Sequence, residues 1–252
     1  MQTQIKNLLE AKYDIKSFEA DAKGHVKPSV VMHMFEDAAY QSAEEIGIGY
    51  STVFPRSLAW VVAKYHIKFI KTPKVWENVT VQTWPCESGG ITCRREFRIL
   101  NDKEQVICTA STLWTLLDFK TRRLVKPFQT LEFPPLATEQ AMETSYWRGG
   151  EQVRNDIEIT KPVTYDDLDL NLHVNNACYV REMINSLPFE YLMENEISEI
   201  FINFKKEARI ENTLKITAQM CQDDNISLHT ILNENDEEVA TGKIIWKNKF
   251  TK

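Results

Sequence analysis

The stretch Asp169-Leu170-Asn171-Leu172-His173-Val174-Asn175-Asn176 stands immediately before a helical pattern, and a shorter echo of it, Gly24-His25-Val26, stands before another one 148 positions earlier (25 against 173). A long-period repeat is tested first, because it dictates the architecture of everything between its copies. Three further matches follow in the same order. His66-Ile67-Lys68-Phe69 matches Phe201-Ile202-Asn203-Phe204 at an offset of 135, Glu77-Asn78 matches Glu211-Asn212 at 134, and Ser111-Thr112-Leu113-Trp114 matches Lys243-Ile244-Ile245-Trp246 at 132. The offset falls steadily, so the second copy has the shorter loops. The chain reads as one unit written twice.

Within the first copy, Val30, Val31, Met34, Phe35, Ala38, Ala39, Ser42, Ala43 and Ile46 recur at helical spacing. They predict an amphipathic helix from about Pro28 to Glu45, with proline in the first turn, where its missing N–H costs nothing. Trp60 to Phe69, Asn78 to Trp84, Ile91 to Leu100 and Gln105 to Leu117 are rich in β-branched and aromatic residues and read as strands. Ser88-Gly89-Gly90 and Asn101-Asp102-Lys103 supply turns between them. The second copy repeats the order with a helix from Asn176 to Leu187 and strands near Glu199 to Phe204, Thr213 to Cys221, Asn225 to Leu232 and Glu238 to Lys247. An antiparallel sheet wrapped around one long helix is a hotdog unit, and two in tandem give an α+β double hotdog. The segment Lys126 to Gly150, with Pro127, Pro134-Pro135 and Gly149-Gly150, reads as a linker. The expected divisions are therefore 1–125, 126–150 and 151–252.

Composition narrows the class of protein. With 252 residues, 43% hydrophobic and 26% charged, and only eight glycines and nine prolines, the chain fits neither a disordered nor a fibrous protein. No apolar run approaches the roughly 20 residues that span a bilayer. The start, Met1-Gln2-Thr3-Gln4-Ile5-Lys6, lacks the apolar segment and small-residue cleavage site of a secretory signal. Cys86, Cys93, Cys108, Cys178 and Cys221 are odd in number and form no C-x-x-C pair, which argues for reduced thiols in a cytoplasm rather than a disulfide framework or a zinc site. A formal net charge of −6 speaks against nucleic acid as a partner.

An extended backbone through the opening stretch puts Asp169, Asn171 and His173 on one face and Leu168, Leu170 and Leu172 on an opposite, apolar one. Asn175 or Asn176 can cap the following helix, whose free N–H groups would meet a developing negative charge. An acid, an amide, an imidazole and a helix N-terminus are the parts of a hydrolytic site. The first copy lacks most of them, with Asp21, Lys23 and His25 in the places of Asp169, Asn171 and His173, and Lys27-Pro28 in the place of the two asparagines.

Blander readings compete. A histidine before a helix is often only a structural hydrogen-bonder. Asp167-x-Asp169-x-Asn171 looks like the opening of a calcium loop, but Leu172 stands where glycine is needed and Cys178 where a bidentate glutamate is needed. A zinc site built on His173 and Asp169 lacks a third ligand, since His229 is distant in the chain. Cys178 is better explained as packed core than as a nucleophile. No G-x-S-x-G elbow occurs.

The run Asp169-x-Asn171-x-His173-Val174-Asn175-Asn176-x-x-Tyr179 resembles the catalytic motif of the acyl-ACP thioesterases of plant plastids and bacteria. Ile202-Asn203-Phe204-Lys205-Lys206-Glu207-Ala208 resembles that family's strand with two basic residues followed by glutamate. The family's cysteine after that glutamate is Ala208 here, which removes a cysteine mechanism at that position. The resemblance implies an enzyme without cofactor or metal that hydrolyses a fatty acyl thioester on acyl carrier protein. It implies Asp169, Asn171, His173 and Glu207 as catalytic residues, with oxyanion-stabilising N–H groups near Asn175 and Asn176. Glu207 aligns with Thr72, so the complete set belongs to the second copy, giving one site per chain with the first unit as a wall of the substrate pocket.

The expected partner is acyl carrier protein bearing its acyl chain, with no nucleic acid and no membrane insertion, and the chain acts as a monomer or homodimer. Lys205, Lys206, Arg209, Arg94-Arg95 and Arg122-Arg123-Lys126 are either solvated faces or carrier-docking residues. Two other functions stay open: a hotdog dehydratase of 3-hydroxyacyl thioesters, and a non-catalytic acyl-thioester binding module.

Overall fold

The duplication is written into the hydrogen-bonding order of the strands. In the computed structural model, which describes residues 5–86, 89–152, 154–221 and 225–248, the first copy runs β1 (Leu9–Asp14), α1 (Pro28–Glu45), the short α2 (Tyr50–Val53), β2 (Leu58–Phe69), β3 (Asn78–Cys86), β4 (Thr92–Leu100), β5 (Val106–Asp118), the short β6 (Arg123–Val125) and the one-turn α3 (Pro127–Thr130). The second runs β7 (Ile157–Pro162), α4 (Asn176–Asn185), α5 (Phe189–Glu194), β8 (Asn195–Phe204), β9 (Thr213–Cys221), β10 (Ile226–Leu232) and β11 (Glu238–Asn248). Pairing is antiparallel, in the order β1-β3-β4-β5-β2 in the first copy and β7-β9-β10-β11-β8 in the second. Strand for strand these are one topology. The chain is a double hotdog, and it divides into two compact units, one of Met1–Val26 with Val31–Ser145, the other of Tyr146–Lys252 with Lys27–Val30.

Helix α1 has the predicted bounds, and its apolar stripe explains its seat. Val31, Phe35 and Ala38 are fully buried, and the Phe35 ring lies 4.6 Å from that of Phe97 on β4. Each large apolar side chain so buried contributes on the order of 1.5–3 kcal/mol, which anchors the helix to its sheet. Helix α4 buries Ala177, Val180 and Met183. It approaches β11 so closely that a Cβ on Gly242 would lie 2.5 Å from Met183 Sδ. Any side chain at that position would force Met183 to move.

The predicted strands are all present, and the structure adds the edge strands β1 and β7. Of the predicted turn Ser88-Gly89-Gly90, Ser88 lies outside the described residues, as does the start Met1 to Gln4. Residues 131–145 belong to the first unit; Leu131 packs with Ile48, Leu58 and Leu116 beside the end of α1, whereas residues 137–144 run along the opposite face of the sheet. There Trp84 Nε1 and Cys86 Sγ both donate to the Glu139 carbonyl, and Arg98 pairs with the Glu139 carboxylate at 2.6 Å. Buried Glu96 accepts from the Ser111 hydroxyl and the Ala141 N–H. Among the described residues, no helix is long and apolar enough to cross a membrane.

Candidate active site

The stretch from Asp169 to His173 is not extended, as its alternating pattern suggests, but a tight turn. The Asp169 N–H donates to the His173 carbonyl at 2.8 Å and the Leu172 N–H to the Asp169 carbonyl at 3.0 Å. Asp169 Oδ1 accepts from the N–H groups of Asn171 and His173, at 2.8 and 3.1 Å. A short carboxylate that competes for nearby backbone N–H groups folds the chain back on itself in this way. Leu172 closes the turn at φ 61°, a left-handed conformation that costs an L-residue about 1–2 kcal/mol. The leucines accordingly form no apolar face, for Leu170 is 100% exposed and Leu172 69%.

The first copy contains the same turn. Asp21 Oδ1 accepts from the N–H groups of Lys23 and His25, and the Asp21 N–H donates to the His25 carbonyl. Gly24 holds the position of Leu172 at φ 76°.

Asn175 is the helix cap. Its Oδ1 accepts from the Ala177 N–H and its carbonyl from the Cys178 N–H, both at 2.9 Å, while its own N–H donates to the Asp167 carbonyl. The Asn176 N–H is left without an acceptor among the described residues. It is the donor that the first turn of α4 offers to a ligand.

Glu207 arrives from the end of β8. The Val174 N–H donates to the Ala208 carbonyl at 2.8 Å, which fixes Glu207 beside the turn. Its Oε2 lies 3.5 Å from His173 Nε2, and the two side chains are 28% and 22% exposed. The same nitrogen lies 3.2 Å from Arg209 Nη2. The site is thus shielded but open to water. Asn171, by contrast, directs its amide at Asp169 Oδ2, 3.5 Å away, from an exposed position.

In the first copy, the Val26 N–H donates to the Pro73 carbonyl at 2.9 Å. That bond makes Thr72 the counterpart of Glu207, and Lys74 the counterpart of Arg209. Arg209 is absent from the expected catalytic set, having been read as basic surface. No local signal marks it; the equivalent place in the first copy holds another basic residue, Lys74, whose backbone forms an isolated β-bridge with that of His25.

Neighbouring groups are structural. Asp167 is buried and accepts from the Thr164 N–H and hydroxyl at 2.8 and 2.7 Å and from the Arg181 guanidinium. These contacts turn it away from any loop shared with Asp169. Cys178 is buried under the same segment, and burial pushes its thiol up to about 11. His229 is core, its Nε2 2.8 Å from Ser227 Oγ on β10. Tyr179, which ends the motif, packs against Phe204 with ring centroids 6.0 Å apart. Its phenol pKa is raised, chiefly by burial and also by Glu207 and Asp169.

The whole chain is similar to known proteins. The acyl-ACP thioesterase N-terminal domain model matches residues 6–129, and the acyl-ACP thioesterase C-terminal domain model matches residues 150–248. A chloroplastic acyl-[acyl-carrier-protein] hydrolase of Cuphea viscosissima is 23% identical over 94% of this chain, which spans 62% of that relative's length. The chloroplastic dodecanoyl-[acyl-carrier-protein] hydrolase of Cinnamomum camphora is 26% identical over 95% of this chain and 67% of its own length. The solved 12:0-ACP thioesterase from Umbellularia californica superposes with a TM-score of 0.88 at 20% identity, covering 98% of this chain and 100% of that one. Matched in order by both of the family's domain models, the chain belongs to the acyl-ACP thioesterase family.

Proposed function

We propose that the chain hydrolyses fatty acyl thioesters of acyl carrier protein, releasing free fatty acid and the carrier thiol in fatty acid biosynthesis. The observation that carries this reading is the approach of Glu207 to within 3.5 Å of His173 Nε2 beside a capped helix whose Asn176 N–H has no acceptor among the described residues. A thioester carbonyl is already activated, so catalysis needs a positioned water, a base and an oxyanion donor rather than a strong nucleophile. Asp169 commits Oδ1 to the backbone of its own turn. Glu207 is therefore the base. It takes a proton from water as the oxygen attacks the carbonyl carbon, the Asn176 N–H meets the oxyanion, and the proton passes to the departing sulfur. Asn171 and His173 orient water and carbonyl, and Asp169 holds the turn that carries them.

The second unit carries this set and the first a degenerate one, with Thr72 in the place of the base. Free thiols at Cys86, Cys93, Cys108, Cys178 and Cys221 favour a reducing compartment such as the cytoplasm. The test is thiol release from a ladder of acyl-ACP lengths, with the same acyl-CoAs in parallel. Hydrolysis of acyl-ACP, lowered about 10²–10⁴-fold in folded Glu207→Gln, is the expected result. Dehydration of a 3-hydroxyacyl thioester without thiol release, or binding without either reaction, would replace the proposal by a dehydratase or a binding module.

A further inference from the structure

Two groups of opposite charge meet the same nitrogen of His173. Arg209 Nη2 lies 3.2 Å from Nε2 and Glu207 Oε2 lies 3.5 Å from it. A ring nitrogen has one in-plane hydrogen-bonding position. A guanidinium only donates, so the contact with Arg209 needs Nε2 bare and the proton on Nδ1, whereas the contact with Glu207 needs the proton on Nε2. The two contacts exclude each other, and the shorter one is to Arg209. The geometry points to Arg209 as a positioning residue that holds the His173 proton on Nδ1, so that Nε2 does not donate to Glu207, the proposed base.

The position is built for this. The Arg209 N–H donates to Asn212 Oδ1 at 2.7 Å, as the Lys74 N–H of the first copy donates to Glu77 Oε2 at 3.0 Å. Both copies thus present a cation at the end of an anchored loop, but only the second presents the planar fork that aims one N–H at a ring nitrogen. Glu207 and Arg209 face the His173 ring, and Asp169 accepts from its backbone N–H. Removal of Arg209 therefore frees Nε2 to carry the ring proton, toward Glu207.

The inference rests on Glu207 as base, but its first readout needs no turnover. Nitrogen–proton correlation spectra of protein labelled at its five histidines, with His173 assigned through His173→Gln, report the tautomer directly. The wild type is expected in the Nδ1–H form. Arg209→Gln is expected in the Nε2–H form. In the hydrolysis assay kcat falls, while KM for acyl carrier protein stays unchanged. Arg209→Lys recovers little of the wild-type tautomer, because the charge is back but the planar fork is not.

An Nε2–H wild type, or an unchanged tautomer in folded Arg209→Gln, overturns the inference. A rise in KM alone, screened by salt, would instead make Arg209 a carrier-docking residue. If Arg209→Gln does not fold, the wild-type tautomer and the Lys variant decide. Loss of the spectral effects counts against the role of Arg209, whereas intact spectra without hydrolysis count against the proposed function.

Discussion

Asp21 and Asp169 hold the same turn in the two copies: each Oδ1 accepts from the N–H groups two and four residues on, at 2.8 and 2.9 Å in the first and 2.8 and 3.1 Å in the second. The first copy keeps this carboxylate although it lacks the amide, the polar cap and the glutamate. The aspartate is therefore a fold residue in both copies, and any further role of Asp169 rests on its charge.

Two substitutions separate these roles. Asp169→Asn keeps an acceptor oxygen and removes the charge, so its stability should stay within about 0.5 kcal/mol of wild type, with turnover less affected than in Glu207→Gln. Asp169→Ala removes both and should cost about 1–2 kcal/mol as the two backbone donors lose their partner. Urea unfolding and hydrolysis measured on the same preparations make the comparison. Damage to turnover in Asp169→Asn equal to that in Glu207→Gln, at unchanged stability, would give Asp169 a direct part in the chemistry.

Leu172 and Gly24 occupy one position of that turn at φ 61° and 76°. Leucine pays a steric cost there that glycine does not, offset in part by the greater freedom glycine loses on folding. Leu172→Gly should stabilise the protein by about 0.5–1 kcal/mol, and Gly24→Leu should destabilise it by a similar amount or more. Thermal midpoints read both. A loss of stability in Leu172→Gly would show that the exposed leucine makes contacts that outweigh its backbone conformation.

Asp167 supplies a pH-dependent part of the stability of the second unit. Burial pushes its carboxyl up, but hydrogen bonds from the Thr164 hydroxyl and N–H and from Arg181, with Lys161 nearby, outweigh that and hold it down to about 2. A folded-state pKa below the unfolded value stabilises at pH above the unfolded value, near 3.9, and that contribution is lost as pH falls toward 2. Its size is on the order of 2–3 kcal/mol. Urea midpoints from pH 7 to 2.5 should fall less steeply for Asp167→Asn than for the wild type, from a lower starting point. Identical slopes would remove Asp167 from the acid transition.

The sheets were legible because central strands such as Asn78–Cys86 and Thr213–Cys221 carry dense β-branched and aromatic patterns. Edge strands β1, Leu-Glu-Ala-Lys-Tyr-Asp, and β7, Ile-Glu-Ile-Thr-Lys-Pro, are short and carry three and two charged residues in six, as edges that must not aggregate tend to do, and so escape a search for apolar runs. The turn at Asp169 was misread because Asp-Leu-Asn-Leu-His alternates perfectly, and because the left-handed position that breaks the strand holds leucine. Its twin, Asp-Ala-Lys-Gly-His, carries the glycine that betrays a turn. Arg209 was hidden for another reason. Nothing local distinguishes an arginine aimed at an imidazole from one in solvent, and only the fold brings residue 209 to residue 173.

The duplicated turn also supplies an internal control for the site. His173 and His25 sit at equivalent turns, with the same backbone bonds to Asp169 and Asp21. His173 has Glu207 at 3.5 Å and Arg209 at 3.2 Å, whereas Thr72 and Lys74 hold those places near His25. A purely structural role for the two histidines predicts similar losses of stability and of activity on substitution at either. The proposed chemistry predicts a split. His173→Ala should lower turnover by about 10²-fold or more, and His25→Ala should leave it within a few-fold of wild type, with comparable thermal midpoints. Turnover and midpoints measured on both variants decide between the two accounts. Equal catalytic damage at the two histidines, in folded protein, would mean that the first copy takes part in the reaction despite its missing glutamate.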